Sequence, residues 1–65
     1  MSHYYYQGKH KIKGKTLEIK ITNSDKGVYV NGKYTGCKLN VENGYYYCNG
    51  QKATNDLNLL LSMRF

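Results

Sequence analysis

Sixty-five residues carry ten Lys and Arg against four Asp and Glu, a formal net charge of +6, with eight Tyr, one Phe, no Trp and no Pro. A chain this short forms one domain at most, residues 1–65, and buries only about 60% of its unfolded surface. No apolar run approaches the roughly 18 residues of a membrane span, and the composition disfavours collagen, coiled coil and most enzymes.

The chain opens Met1-Ser2-His3 and then Tyr4-Tyr5-Tyr6. A signal peptide has a basic start followed by an apolar stretch, and neither that order nor a lipidation motif is present. A cytoplasmic protein is therefore expected. Two cysteines agree, because disulfide-stapled secreted domains of this size usually carry four or more. A strand through the three tyrosines would bury Tyr5, or Tyr4 with Tyr6. At least one ring there is exposed, on an edge strand or a partner-binding arm.

Lys9, Lys11 and Lys13 then alternate with His10 and Ile12. A tight turn at Gly14-Lys15 sets Ile12 opposite Leu17 and His10 opposite Ile19. Residues 16–22 alternate cleanly, with Leu17, Ile19 and Ile21 on one face. A loop over residues 23–26 pairs Ile21 with Val28 and Ile19 with Val30. Asn-Gly is the strongest short hairpin signal, because both residues tolerate positive φ, and it occurs at Asn31-Gly32, Asn43-Gly44 and Asn49-Gly50. The first pairs Val30 with Lys33 and Tyr29 with Tyr34. A two-residue turn at the second pairs Leu39 with Cys48, Val41 with Tyr46 and Asn40 with Tyr47.

These registers agree on one apolar face: Leu17, Ile19, Ile21, Val28, Val30, Cys37, Leu39, Val41, Tyr46 and Cys48. Residues 33–42 form one long strand serving two hairpins, and Gly36 within it marks a bulge that lets the sheet curl. The expected fold is all-β, or mainly β with one short C-terminal helix: a small antiparallel β-meander curled into a barrel or half-barrel. Leu57, Leu59, Leu61, Met63 and Phe65 alternate as a strand would. Leu57, Leu60 and Leu61 also share one side of a helix, and Thr54, Asn55 and Asp56 are acceptable N-caps. Leu and Met favour helix, so the reading leans to a helix packed over the open end. The alternative use of Leu59, Leu60 and Leu61 is a homodimer core.

Alternation fixes the outer face as well. It carries Lys9, Lys11, Lys13, Lys20, Tyr29, Tyr34, Lys38, Tyr45 and Tyr47, together with Glu18, Asn40 and Glu42. Lysines release counterions from phosphates. Tyrosine rings stack on bases for about 1–3 kcal/mol each without demanding a sequence. These nine residues are the candidate binding set, and the expected partner is nucleic acid, single-stranded by preference. Tyrosines also stabilise sheets through cross-strand pairs, and strand lysines block edge-to-edge aggregation. The rival function is a phage- or mobile-element-type inhibitor or adaptor that docks exposed tyrosines and a basic surface on an acidic host protein.

No cofactor, metal or catalytic residue is expected. Cys37 and Cys48 lie diagonally in this register, so a disulfide would need a shifted hairpin, and buried free thiols are expected. Cys37, Cys48, His3 and His10 lack metal-ligand spacing. His10 falls on the core-facing parity and reads as structural. Val28-Tyr29-Val30-Asn31-Gly32-Lys33 recurs as Tyr46-Tyr47-Cys48-Asn49-Gly50-Gln51, as two hairpins of the same turn chemistry would. Residues 44–54 resemble one aromatic-glycine hairpin of bacterial cell-wall-binding repeats, which would imply glycan binding, but lack the tryptophan those repeats use.

Overall fold

The computed structural model describes residues 4–65. Six strands are followed by one helix: β1 (Tyr4–Ile12), β2 (Lys15–Thr22), β3 (Gly27–Val30), β4 (Lys33–Asn40), β5 (Tyr45–Cys48), β6 (Gln51–Thr54) and α1 (Leu57–Arg64). The strands form one antiparallel sheet in chain order. β1 and β6 are its edges, so the sheet is a curled half-barrel rather than a closed barrel. α1 packs against both edge strands. Leu60 and Leu61 join Ile12, Leu17, Ile19, Ile21, Val28, Val30, Cys37 and Tyr46 in the buried core.

Turn chemistry sets the registers. Asn31-Gly32 and Asn49-Gly50 both have positive φ, the type I′ condition whose twist matches that of the strands. Val30 pairs with Lys33 and Tyr29 with Tyr34, while Ile19 pairs with Val30 and Ile21 with Val28. All four pairs are those expected.

Two hairpins depart from expectation by two residues each. The first turn lies at Lys13-Gly14, both at positive φ, so Ile12 faces Lys15 and His10 faces Leu17. The β4–β5 turn takes four residues, 41–44. Asn40 and Asn43 cap it through their side chains: Asn40 Oδ1 accepts from Glu42 N–H, and Asn43 Oδ1 from Tyr45 N–H. These local bonds outcompete the two-residue Asn-Gly turn. Leu39 thus faces Tyr46, Lys38 faces Tyr47 and Asn40 faces Tyr45. A two-residue slip preserves parity, so the apolar face survives. Val41 is the exception: it sits in the turn and is 54% exposed.

The same slip brings Cys37 directly opposite Cys48, and the two form a disulfide. The expectation of free thiols is corrected on this point. With it goes the cysteine argument for a cytoplasmic protein, since such bonds persist mainly in oxidising compartments.

Gly36 does bend the sheet. Between the pairs Tyr29–Tyr34 and Gly27–Lys38, β4 runs through Thr35, Gly36 and Cys37 while β3 advances only through Val28. Gly36 holds φ +84°, which a residue with a Cβ rarely adopts. Thr35 closes the bulge: its hydroxyl donates to Val28 O and accepts from Cys37 N–H. Asp56 caps α1, accepting from Asn58 N–H and Leu59 N–H. That leaves Leu60 and Leu61 pointing into the half-barrel and Leu59, Met63 and Phe65 exposed.

Candidate binding face

The sheet has one face committed to the core, so the other is free to carry chemistry. Lys20 pairs with Tyr29, and Tyr29 with Tyr34 across the next strand. The Tyr29 and Tyr34 rings lie 5.3 Å apart at a 42° tilt. Past the Gly36 bulge, Lys38 pairs with Tyr47, and Tyr47 with Lys52. Tyr34, Lys38 and Tyr47 line one shallow hollow, so the bulge does not interrupt the row. Tyr45 flanks it opposite Asn40, with Lys52 Nζ 4.1 Å from its ring centroid, a cation–π distance.

Six of the nine expected residues are therefore contiguous or flanking: Lys20, Tyr29, Tyr34, Lys38, Tyr45 and Tyr47. The other three stand apart. Lys9 faces Glu18 and Lys11 faces Thr16, while Lys13 occupies the β1–β2 turn. They are exposed, and they extend the positive surface along β1 away from the tyrosines.

Two residues of the row were missed by sequence reasoning. Tyr4 pairs with Thr22 while Tyr6 pairs with Ile21, so Tyr5 is an extra residue in β1. That bulge reverses the parity of Tyr4 and brings it to the outer face, where Lys20 Nζ lies 5.1 Å from its ring centroid. Tyr4, Lys20 and Tyr29 line a second hollow. A one-residue bulge leaves no pattern in three consecutive tyrosines. Lys52 was legible in principle, because a two-residue turn at Asn49-Gly50 sets it directly opposite Tyr47.

Carboxylates near this face are few. Glu18 Oε1 lies 3.6 Å from Lys20 Nζ. Asp25 sits at the β2–β3 turn, where the Thr22 hydroxyl, then the Gly27 N–H, and more weakly Lys38 hold its carboxyl below the usual value. It stays ionised and serves the turn.

The remaining tyrosines have other uses. Tyr5 is exposed, with Lys26 Nζ 5.3 Å from its ring centroid. Tyr6 lies on the core side of β1, and its hydroxyl is 2.7 Å from His10 Nε2. His10 Nδ1 is 2.7 Å from Asn58 Oδ1. The amide oxygen can only accept, so Nδ1 donates to Asn58, and Nε2 pairs with the Tyr6 hydroxyl. This chain ties α1 to β1 and agrees with a structural His10. Among the described residues, no three His, Cys, Asp or Glu side chains gather as a metal site. His3, named with that set, lies outside the described residues. No helix among them is long and apolar enough to cross a membrane.

No family model, no curated protein and no solved structure matches this chain.

Proposed function

We propose that this protein binds single-stranded nucleic acid, with weak sequence preference, through the outer face of its sheet. The observation that carries this reading is the interleaving of rings and ammonium groups across the strands: Lys20, Tyr29, Tyr34, Lys38, Tyr47 and Lys52. Lysines neutralise phosphates, and tyrosine rings supply stacking platforms that accept any base. Lys9, Lys11 and Lys13 add long-range attraction. Arginine is the usual reader of guanine. The single Arg64 is far from this role: its guanidinium donates to Thr35 O.

The test is polarisation binding to labelled single-stranded and duplex oligonucleotides at about 50 and 200 mM salt, where charge-driven binding must weaken as salt rises. Single strands are expected to bind more tightly than duplex. Replacing Tyr34 and Tyr47 with Ala should weaken binding at least tenfold, given about 1–3 kcal/mol per stacked base. Unchanged affinity in the folded double variant would reject the reading.

The second reading is an inhibitor or adaptor that places these tyrosines on an acidic protein surface. Exposed Tyr5 and Tyr34 favour it, and its signature is a protein partner whose binding falls less steeply with salt than nucleic-acid binding does. A homodimer through Leu59, Leu60 and Leu61 would now rest on Leu59 alone, because the other two are in the core. A cytoplasmic site of action belongs to the nucleic-acid reading, and the Cys37–Cys48 disulfide weighs against it.

A further inference from the structure

We infer that the bound strand crosses the sheet from strand to strand, with one step along β4 between Tyr34 and Lys38, from Tyr4 at one edge to Lys52 at the other, with a footprint of about four nucleotides. This rests on the nucleic-acid reading and adds a path, a length and two end residues to it.

The path follows from the order of the side chains. Read from edge to edge, β1 offers Tyr4, β2 offers Lys20 and β3 offers Tyr29. β4 offers Tyr34 and Lys38, β5 offers Tyr47 and β6 offers Lys52. Each neighbour is joined to the next by a cross-strand pair, a ring contact or a shared hollow. Rings and cations are interspersed in this direction, with Tyr29 and Tyr34 adjacent as one two-ring platform and a cation on either side of it. Bases and phosphates are likewise interspersed along an extended single strand, so rings and cations both lie within reach of their chemical complements.

A path along β1 or β2 has no such order. Down β1 the outer side chains are Gln7, Lys9 and Lys11, with no ring after Tyr4. Down β2 they are Glu18 and Thr16 beyond Lys20. A carboxylate would face the phosphates there, and no ring would receive a base.

The length follows from the geometry of the sheet. Six strands about 4.8 Å apart span roughly 24 Å, which accommodates about four nucleotides of extended strand, the short end of single-strand footprints on small β-domains. The molecule is 31 × 30 × 17 Å, so the row uses most of its width.

The experiment is a length series of fluorescein-labelled oligothymidylates of two, four, six, eight and twelve nucleotides, read by polarisation at low salt. Affinity should rise steeply from two to four nucleotides. Beyond that it should grow only with the number of available registers, about threefold from six to twelve for a four-nucleotide site. A gain above tenfold between six and twelve would overturn the crossing path while leaving single-strand binding intact. Absence of binding at every length would overturn both readings. The end residues supply a second arm. Tyr4→Ala and Lys52→Ala, each confirmed folded by circular dichroism, should each weaken tetranucleotide binding about fivefold or more and bring the plateau forward by about one nucleotide. If neither changes the tetranucleotide affinity while Tyr29→Ala does, the strand does not reach the edges and the path is wrong.

Discussion

Tyr46 belongs to a run of three tyrosines whose neighbours, Tyr45 and Tyr47, face outward, yet it is 7% exposed and packs in the core. Burial, and secondarily Tyr6, Tyr5 and Asp56, raise its hydroxyl above the usual tyrosine value of 10. The consequence for stability has a definite sign. The fold favours the neutral phenol, so its contribution is fully present below pH 10. That contribution is lost as pH rises through the raised value, because the unfolded chain releases its proton first. Denaturant midpoints should therefore fall above pH 10, and Tyr46→Phe should flatten that fall. An equally steep fall in the Phe variant would assign it to the exposed tyrosines and lysines instead. The same alternation explains why Tyr45 and Tyr47 were legible as surface residues. Tyr4 was not, because the bulge at Tyr5 that turns it outward is a property of the β1–β2 pairing and not of the three identical side chains.

At the scale of elements, β5 and β6 form a short hairpin at one edge of the sheet, four residues each. Short hairpins are marginal alone. The Cys37–Cys48 disulfide ties β5 to β4 across a sequence separation of 11. A crosslink closing so short a loop stabilises by roughly 2–3 kcal/mol through the unfolded chain. Replacing both cysteines with Ser, or reducing the bond, should therefore lower unfolding free energy by about that amount, measured by urea titration, with extra loss from a buried hydroxyl at Cys37. No change on reduction would mean that β4 and β5 hold each other without help. The register that makes this bond feasible was not legible. Asn43-Gly44 invites a two-residue turn, and the side-chain caps from Asn40 and Asn43 select a four-residue one.

For the whole molecule, one short helix completes the core of an open sheet. Leu60 is 2% exposed, and Leu61 is buried beside it between strands that do not pair with each other. A 65-residue domain holds little stability in reserve. Truncating a buried leucine costs about 2–5 kcal/mol. Leu60→Ala should therefore leave much of the population unfolded at 37 °C by circular dichroism, whereas Leu59→Ala, on the exposed side of α1, should shift the melting temperature by only a few degrees. Equal losses from the two would imply that the outer side of α1 is also covered, as in a dimer.

The sequence by itself determined which side chains share a face, because a strand's side-chain period of two survives any even slip in register. Leu17, Ile19, Ile21, Val28, Val30, Cys37 and Tyr46 were legible as core for that reason, and so were Lys20, Tyr29, Tyr34, Lys38, Tyr45 and Tyr47 as surface. It also marked the Asn31-Gly32 turn and the Gly36 bend, where local conformation requires positive φ. Only the tertiary structure decided what stands opposite what. The Lys13-Gly14 turn, the four-residue β4–β5 turn and the bulge at Tyr5 each move the pairing by one or two residues. Those steps create the Cys37–Cys48 bond, expel Val41 and bring Tyr4 to Lys20. They depend on competition between turn hydrogen bonds and strand pairing across the chain, which no local pattern records.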